Sequence, residues 1–224
     1  MPGPSDRGSG ATRSTVAGTE RKSARDPMDR YYTPWPVALG VCQEWRHAIG
    51  GRDVLDPFAG GGVWLRAALA VGAASACGVD LDPGAPAVLA GEAVLGDGLA
   101  AIREARGAVV TNPPFALASE TMDAVVQGIE GGRLSAAIVL CRITTLEGVG
   151  RAPLWARWWP ERLIVMARRI RWEGPGGDAL GGGSDNFGAA AILWGSPTAR
   201  GDTRTLMGWE PAPPAQVGLF GGAG

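Results

Sequence analysis

The chain has 224 residues, which is long enough for one α/β domain with a sizeable hydrophobic core. Hydrophobic residues make up 46% of the sequence and the formal net charge is −1, a composition that is typical of a globular protein and excludes a uniformly basic nucleic-acid coat. No apolar run approaches the ~20 residues that span a bilayer, and the N-terminus lacks the apolar stretch of a secretion signal. We therefore expect a cytoplasmic protein with no membrane partner.

Composition divides the chain into three parts. Residues 1–28 have almost no large apolar side chains and are predicted to form a disordered N-terminal tail. Residues 29–195 carry regular hydrophobic patterns and are predicted to form one domain. Residues 196–224 are rich in proline and glycine and are predicted to form a flexible C-terminal tail.

Short apolar runs alternate with helical patterns in this domain, which indicates a doubly wound α/β sheet. Seven strands are predicted, at residues 53–56, 76–80, 92–95, 108–111, 134–141, 163–167 and 189–194. Several are apolar on both faces, as is typical of a parallel sheet covered by helices. A glycine-rich connection at 173–188 joins the last two strands, so we expect them to form an antiparallel hairpin at one edge of the sheet.

Three helices are predicted between these strands. The first has Pro36 in its first turn, and one of its faces carries Val37, Val41, Trp45 and Ala48. The second, at 63–71, ends before Gly72. The third is expected to begin at a Ser119 cap and to bury a stripe formed by Met122, Val125, Val126 and Ile129. In such a fold the ligand lies beyond the carboxyl ends of the strands, where the polar motifs of this sequence fall.

A glycine-rich turn follows the first predicted strand and leads into the helix at 63–71. It reads Asp56-Pro57-Phe58-Ala59-Gly60-Gly61-Gly62. Glycine lets the backbone approach a ligand closely and adopt positive φ angles, so this turn favours a nucleotide-type cofactor loop. It is not a Walker loop, because no GK[ST] follows, and it does not match GxGxxG. A plain tight turn is the alternative interpretation.

Acidic residues follow the next two predicted strands. Asp80, before Leu81, is placed to accept both hydroxyls of a ribose, although Asp82 competes for that role. Asp97 and Gly98 follow the third strand, where a carboxylate or its neighbours could accept a hydrogen bond from an adenine amine. Taken alone, each acidic turn is also compatible with a purely structural role.

The fourth predicted strand ends in Thr111-Asn112-Pro113-Pro114-Phe115. Two prolines fix the backbone, so the Asn112 amide oxygen and the Pro113 carbonyl can point to one position. Phe115 adds an aromatic face. Two acceptors and a stacking ring match what an aromatic amine needs, whereas a proline-rich turn is the alternative.

Together these motifs resemble the class I S-adenosylmethionine-dependent amino-methyltransferases, in particular the phage-type DNA N6-adenine methyltransferases. The glycine-rich turn resembles the family's motif I, Asp80 its ribose-binding acid and Asp97 its adenine-side acid. Residues 112–115 resemble the [DN]PP[YF] catalytic motif, residues 31–34 resemble motif X, and residues 169–194 resemble the closing hairpin. The similarity covers about residues 31–195, although a separate target-recognition domain is not found.

This resemblance implies a Rossmann-like class I methyltransferase sheet, mostly parallel with an antiparallel C-terminal edge, and S-adenosyl-L-methionine as the cofactor. It implies catalytic roles for Asn112, Pro113, Pro114 and Phe115. It implies cofactor contacts from Tyr32, Thr33, Pro34, Asp56, Pro57, Phe58, Ala59, Gly60, Gly62, Asp80, Leu81, Asp97, Gly98 and Asn112. A phage or mobile-element origin is likewise implied by the resemblance only.

The implied reaction is a direct displacement at the sulfonium methyl by the exocyclic amine of adenine. Hydrogen bonds from the amine to the Asn112 side-chain oxygen and the Pro113 carbonyl would favour a pyramidal nitrogen, so positioning and electrostatics carry the rate. The base must be flipped out or single-stranded, with Phe115 stacked on it. No metal is required, which agrees with a single histidine, His47, and three cysteines without a CxxC pair.

Other functions remain open on the same fold. N4-cytosine methylation of DNA, N2-guanine methylation of RNA and glutamine methylation of a protein use similar motifs, and a non-catalytic binding module is a further alternative. No Pro-Cys motif is present, which argues against carbon-5 methylation of cytosine. Cys77 and Cys141 fall in predicted strands and are expected in the core.

Residues 142–172 form a basic and aromatic segment with seven arginines and only two acids. Arginines on phosphates and exposed aromatic rings suit a surface that follows a nucleic-acid strand. The predicted DNA contacts are Arg151, Arg157, Arg168, Arg169 and Arg171. The alternative places the four tryptophans of this segment in the core and the arginines on a solvated rim.

Residues 216–220 of the tail read Gln-Val-Gly-Leu-Phe. They resemble the QxxLF peptide with which bacterial DNA-processing proteins bind the replication sliding clamp, with Gln216, Leu219 and Phe220 as the matching side chains. The sliding clamp is therefore a candidate partner, besides DNA.

Overall fold

The computed structural model describes residues 30–147, 149–174, 188–195 and 205–207. The helices are α1 (Trp35–Glu44), α2 (Arg46–Ile49), α3 (Val63–Ala70), α4 (Pro86–Leu89), α5 (Gly98–Glu104), α6 (Ala118–Glu130) and α7 (Ala152–Arg157). The strands are β1 (Asp53–Asp56), β2 (Ser75–Asp80), β3 (Ala93–Leu95), β4 (Gly107–Thr111), β5 (Leu134–Arg142), β6 (Arg162–Val165), β7 (Ala189–Trp194) and β8 (Thr205–Met207). The predicted tail 1–28, most of the connection 173–188 and the clamp-like residues 216–220 lie outside the described residues.

All of these strands form one sheet, in the order β3-β2-β1-β4-β5-β7-β6-β8. β1 to β5 pair in parallel, whereas β7 is antiparallel to both β5 and β6. All six residues of β7 are buried, which agrees with its place between two strands. The predicted Rossmann-like sheet, mostly parallel with antiparallel C-terminal strands, is therefore confirmed.

Two hydrophobic cores cover the two faces of the sheet. On one face α1, α2 and α3 pack around Trp45 and Ile49, which are both fully buried. On the other face α5, α6 and α7 pack around Met122 and Val125. The predicted apolar stripe of α6 is thus confirmed as the surface that this helix turns toward β5.

The order of the strands reverses between β1 and β4, and this opens a crevice at their carboxyl ends. β1, β2 and β3 proceed to one edge of the sheet, whereas β4 returns to the other side of β1. The connections that follow β1 and β4 therefore diverge to opposite sides, which is the usual place for a ligand in a sheet of this kind. Asp56 ends β1 and Asn112 follows β4, so the crevice lies between the two motifs.

Some local predictions are wrong. Ser119 does not cap α6, because a 3₁₀ turn at Phe115–Leu117 leads directly into a helix that begins at Ala118, and no side chain caps it. Trp45 lies at the junction between α1 and α2 rather than inside a single helix. Cys77 is on β2 but exposed, whereas Cys141 is buried, and burial raises the pKa of its thiol to about 12.

The C-terminal edge of the sheet also differs from the prediction. Thr205–Met207, within the segment predicted to be flexible, forms β8 and pairs in parallel with β6. The hairpin of β6 and β7 is therefore inside the sheet rather than at its edge. No helix in the described ranges is both long enough and apolar enough to cross a membrane.

Candidate active site

A cavity of about 400 Å³ lies beyond the carboxyl ends of β1, β2, β3 and β4. Most residues that the sequence assigned to the cofactor or to catalysis line it: Tyr32, Thr33, Phe58, Ala59, Gly60, Asp80, Leu81, Asp97, Gly98, Asn112, Pro113, Pro114 and Phe115. Pro34, Asp56, Pro57 and Gly62 are not among its lining residues. The fold therefore brings motifs that are distant in the sequence to one crevice.

The turn between β1 and α3 is packed against the segment before α1. Gly60 has a φ of +48°, and a Cβ atom there would lie 2.8 Å from the Tyr32 ring. Gly62, with a φ of +74°, directly precedes α3. Both positions require glycine for their backbone angle, and Gly60 also requires it for the close approach of the tyrosine ring.

Tyr32 connects this turn to the segment that follows β6. Its N–H donates to the Glu173 carbonyl and the Glu173 N–H donates to the Tyr32 carbonyl, each at 2.9 Å. The Tyr32 ring meanwhile packs over Gly60 and Gly61. One residue therefore contacts both the glycine-rich turn and the chain leading into the β6–β7 connection.

Asp80 orders the glycine-rich turn from the end of β2. Its carboxylate accepts the Gly60 N–H at 2.7 Å and the Asp82 N–H at 2.9 Å. A carboxylate has about four acceptor positions, so Asp80 keeps capacity toward the cavity. The competing Asp82 is paired with the Arg30 guanidinium, with 3.8 Å between Nη1 and Oδ2.

Asp97 has a structural role at the start of α5. Its Oδ1 atom accepts the N–H groups of Leu99 at 2.9 Å and Ala100 at 3.3 Å, so the side chain caps the helix. The next residue, Gly98, packs directly against the Pro57 carbonyl. A Cβ atom at this position would collide with that carbonyl, so the contact requires glycine. Pro57 thus shapes the wall by packing against Gly98.

Asp56 lies behind the cavity wall and joins the ends of β1 and β4. It is fully buried, and its Oδ1 atom accepts the Thr111 hydroxyl at 2.7 Å and the Phe58 N–H at 3.2 Å. Its Oδ2 atom is buried without a hydrogen-bond partner. Burial raises the pKa of this carboxyl to about 7; the two hydrogen bonds oppose the rise and the charge of Asp80 adds to it.

Asn112 presents a buried acceptor at the cavity. Its Nδ2 atom donates to the Tyr31 carbonyl at 3.0 Å. This hydrogen bond places the amide nitrogen next to that carbonyl and the Oδ1 atom on the other side of the amide group. Its Oδ1 atom is buried and has no hydrogen-bond partner. A buried acceptor left without a partner costs about 1–3 kcal/mol, so this oxygen is suited to a ligand that donates a hydrogen bond.

Two further buried polar groups line the cavity without a partner. They are the Thr33 hydroxyl and the indole Nε1 of Trp64, in side chains that are 3% and 2% exposed. Both can donate a hydrogen bond. Across the described part of the chain, no group of three or more His, Cys, Asp or Glu side chains could hold a metal ion.

A cationic side chain and two aromatic side chains contact the ring of Phe115. The Arg142 guanidinium carbon lies 3.7 Å from the centre of its ring, and the Tyr31 ring stacks on it at 5.6 Å between centroids. Trp172 meets it edge-on at 6.1 Å. One face of the ring is therefore covered by a side chain from the end of β5, and base stacking on Phe115 stays a prediction.

The five predicted DNA-binding arginines divide into two groups. Arg157 is paired with the Glu130 carboxylate, and this pairing lowers the pKa of the glutamate. Arg151 donates to the Glu147 carbonyl at 2.9 Å. The side chains of Arg168, Arg169 and Arg171 are exposed along the segment that leads to the Tyr32–Glu173 bridge, and we call these three the basic strip.

The four tryptophans of this segment are also divided. Trp172 is buried on the α1 face of the sheet, whereas Trp155 and Trp158 pack against the core of the opposite face. Trp159 is 56% exposed and meets Trp155 edge-on. Three of these tryptophans therefore pack against the two cores, as the alternative interpretation expects, and the DNA contacts of the arginines stay a prediction.

Sequence reasoning missed Trp64, which lines the cavity, and Arg142, which contacts Phe115. Trp64 lies in the first turn of α3, where an aromatic residue directly after a glycine-rich turn could have been noted. Arg142 ends β5, and the rule that ligands lie at the carboxyl ends of strands applies to it as it does to Asn112.

Comparisons with known proteins identify the fold. No protein-family model and no curated protein sequence matches the chain. A proposed RNA methyltransferase from Pyrococcus horikoshii is 17% identical, with a TM-score of 0.54, over 74% of this chain and 86% of that one. A proposed class I S-adenosylmethionine-dependent methyltransferase from Listeria monocytogenes is 14% identical, with a TM-score of 0.55, over 75% of this chain and 61% of that one.

A third similar structure is the M protein of the type I restriction enzyme EcoKI. It is 15% identical, with a TM-score of 0.54, and the match covers 74% of this chain and 44% of that one. The chain thus spans less than half of the M protein. Taken together, the strand order and these similarities show that the chain has the fold of the class I S-adenosylmethionine-dependent methyltransferases.

Proposed function

We propose that this protein transfers a methyl group from S-adenosylmethionine to the exocyclic N6 amine of adenine in DNA. The observation that carries the proposal is the Asn112 Oδ1 atom, which is buried at the cavity without a partner while its amide nitrogen is bonded to the chain. An exocyclic amine is a hydrogen-bond donor of the kind that this oxygen lacks.

The cavity fits the cofactor in the groups that it offers. Asp80 retains acceptor capacity for the ribose hydroxyls, and the Thr33 hydroxyl and Trp64 indole offer donors suited to the carboxylate end. The chain could hold the adenine between Leu81 and the region of Asp97. When bound, S-adenosylmethionine would supply an electrophilic methyl group on a sulfonium.

The chain's own part in transfer is to position the amine. Asn112 Oδ1 and the Pro113 carbonyl would accept the two amine hydrogens and turn the nitrogen lone pair toward the methyl group. Pro113 and Pro114 restrict the backbone that carries these acceptors, so little reorganisation is needed during the reaction. Such a site requires neither a strong base nor a metal.

Nucleic acid is favoured as the substrate class by the basic strip, whose segment leads to Glu173 and its bridge with the cavity residue Tyr32. The similar structures include the M protein of a restriction enzyme and a proposed RNA methyltransferase, so their names favour nucleic acid but do not choose between DNA and RNA. The preference for DNA and adenine rests on the sequence resemblance of residues 31–195.

The direct test is mass spectrometry of digested nucleosides after incubation of the full chain with S-adenosylmethionine and unmethylated DNA or, separately, RNA. We expect N6-methyladenine from DNA, formed about 1,000-fold more slowly by an Asn112→Ala control. Methylcytosine alone, or a product from RNA alone, would contradict the substrate while leaving the transfer of a methyl group. No product from either, together with measurable cofactor binding, would contradict a nucleic-acid substrate.

We further propose that the basic strip contacts DNA phosphates. Replacing Arg168, Arg169 and Arg171 by glutamine should weaken DNA binding and lower the slope of log K against log salt by up to about 2.7, since each phosphate contact contributes about 0.9. Arg157→Gln is the matched control, because its guanidinium is already paired with Glu130. An unchanged salt slope in the triple variant would remove the strip from the interface.

A further inference from the structure

The Arg142 guanidinium lies where a base would stack on Phe115, so it restricts how a base can bind there. A guanidinium 3.7 Å from the ring centre occupies the position that a stacked base would take on that face. The Tyr31 ring also stacks on Phe115, and Trp172 meets it edge-on. A base that stacks on the face covered by the guanidinium therefore requires Arg142 to move.

Among these neighbours, Arg142 has the side chain with the most rotatable bonds. Tyr31 accepts a hydrogen bond from Asn112 and precedes Tyr32, which is bridged to Glu173 on both its backbone groups. Trp172 is 4% exposed and belongs to the core. Arg142 is the last residue of β5, is only partly buried, and has a long side chain with several rotatable bonds.

The chemistry of a guanidinium suits an exchange of partners. It is planar and stacks on aromatic rings, and it also binds phosphate through two parallel hydrogen bonds. A nucleotide in a strand brings both a ring that competes for Phe115 and a phosphate that can accept the displaced cation. A free nucleoside brings only the ring.

We propose that Arg142 closes the base site in the absence of nucleic acid and moves onto a phosphate beside the target nucleotide when the base stacks on Phe115. The inference rests on the proposed function, in that it assumes a nucleic-acid base at this site. It makes Arg142 a positioning residue that favours a base within a polynucleotide over a free nucleoside.

The test compares one base with and without its phosphates. The full chain is first saturated with S-adenosylhomocysteine, so that the cofactor part of the cavity cannot take up the probe. The probes are 2-aminopurine riboside and a short single strand that contains one 2-aminopurine, whose fluorescence falls when the base stacks. Affinity is measured for the wild type, Arg142→Met and Arg142→Lys, with Arg103→Met on the exposed surface of α5 as the matched control.

We expect Arg142→Met to shift the two affinities in opposite directions. The riboside should bind about threefold to tenfold more tightly, because it no longer displaces a cation from the ring. The single strand should bind more weakly, and its salt slope should fall by about 0.7, the loss of one phosphate contact. Arg142→Lys should keep most of the salt slope, and Arg103→Met should change neither affinity.

Two results would overturn the inference. Equal weakening of both probes would make Arg142 a fixed wall of the base site, and no change in either would leave it a structural residue. If Arg142→Met does not fold, as judged by its thermal unfolding, Arg142→Gln, which also removes the cation, tests the same gain in riboside affinity. Failure of the wild type to bind S-adenosylhomocysteine or to methylate nucleic acid would instead contradict the proposed function, and is measured separately.

Discussion

The two sides of the cavity use their polar groups in different ways. On the side of β2 and β3, the carboxylates of Asp80 and Asp97 accept hydrogen bonds from N–H groups of the chain. On the side of α3 and β4, Thr33, Trp64 and Asn112 hold buried polar atoms without a partner. The first side is therefore ordered by the fold itself, whereas the second keeps buried polar groups whose desolvation a bound ligand can offset.

This difference predicts different consequences of substitution. Changes on the β2 and β3 side should alter the ordering of the glycine-rich turn, and with it cofactor affinity or stability. A change at Asn112, on the β4 side, should alter the reaction and leave the fold intact. The following substitutions test that division, from the largest expected effect to the smallest.

Asn112→Ala should lower the rate of methyl transfer by about 1,000-fold while cofactor affinity stays largely unchanged, because an acceptor for the reacting amine is lost. Single-turnover rates and calorimetric titration with S-adenosylhomocysteine measure the two effects. Asn112→Asp keeps an acceptor oxygen and should retain part of the rate. Equal loss of rate and cofactor affinity in Asn112→Ala would contradict the division.

Asp56→Asn should change how stability depends on pH. The folded-state pKa of about 7 lies above the ordinary value of 3.8, so the unfolded chain ionises first as the pH rises. The free energy of unfolding should therefore fall by about 3 kcal/mol between about pH 4 and pH 7 and then level off, and Asp56→Asn should remove this fall.

Thermal unfolding at a series of pH values measures this effect. Asp53→Asn, an exposed acid on the same strand, is the matched control and should keep the wild-type profile. Identical profiles for the wild type and Asp56→Asn would show that the buried carboxyl does not titrate in this range.

Asp80→Ala should weaken cofactor binding by about 10-fold to 100-fold, since a hydrogen bond to a charged group contributes about 1.5–3 kcal/mol. It removes the acceptor of the Gly60 N–H as well as the expected ribose contact. Asp82→Ala is the matched control and should affect binding much less, because that carboxylate is paired with Arg30. A larger effect at Asp82 would reassign the ribose contact.

Asp97→Ala should have the smallest effect, a loss of about 1 kcal/mol of stability from the uncapped N-terminus of α5. Chemical denaturation measures it, and calorimetry checks cofactor affinity in the same samples. A drop in cofactor affinity as large as that of Asp80→Ala would show that Asp97 binds the adenine of the cofactor directly. Asp97 would then be a ligand contact as well as a helix cap.

Sequence rules of short range predicted much of the fold. Apolar runs located β1 to β7, and the glycine-rich and proline-rich turns identified Gly60 and Asn112 at the ends of their strands. The rule that parallel strands share one carboxyl edge then predicted that these motifs meet. The cavity confirms that meeting for Gly60, Asp80 and Asn112.

Short-range sequence rules could not predict the contacts between residues that are distant in the sequence. The cover of Phe115 by Arg142 and the pairing of Arg157 with Glu130 depend on side chains from distant strands and helices. β8 pairs with β6 although its surroundings are rich in glycine and proline, because a neighbouring strand supplies hydrogen bonds that local composition does not reveal. The role of Asp97 could not be predicted for another reason, since a helix-capping aspartate and a ligand-binding aspartate have the same sequence pattern.

The bridge between Tyr32 and Glu173 has a thermodynamic consequence. Glu173 cannot move away from the segment before α1 without breaking two backbone hydrogen bonds to Tyr32, whose ring packs on Gly60 and Gly61. We therefore expect a ligand that holds the basic strip in place to stabilise the glycine-rich turn as well, and a ligand that holds the turn to stabilise the strip. By thermodynamic linkage this cooperativity is reciprocal: each ligand raises the affinity of the protein for the other ligand by the same factor.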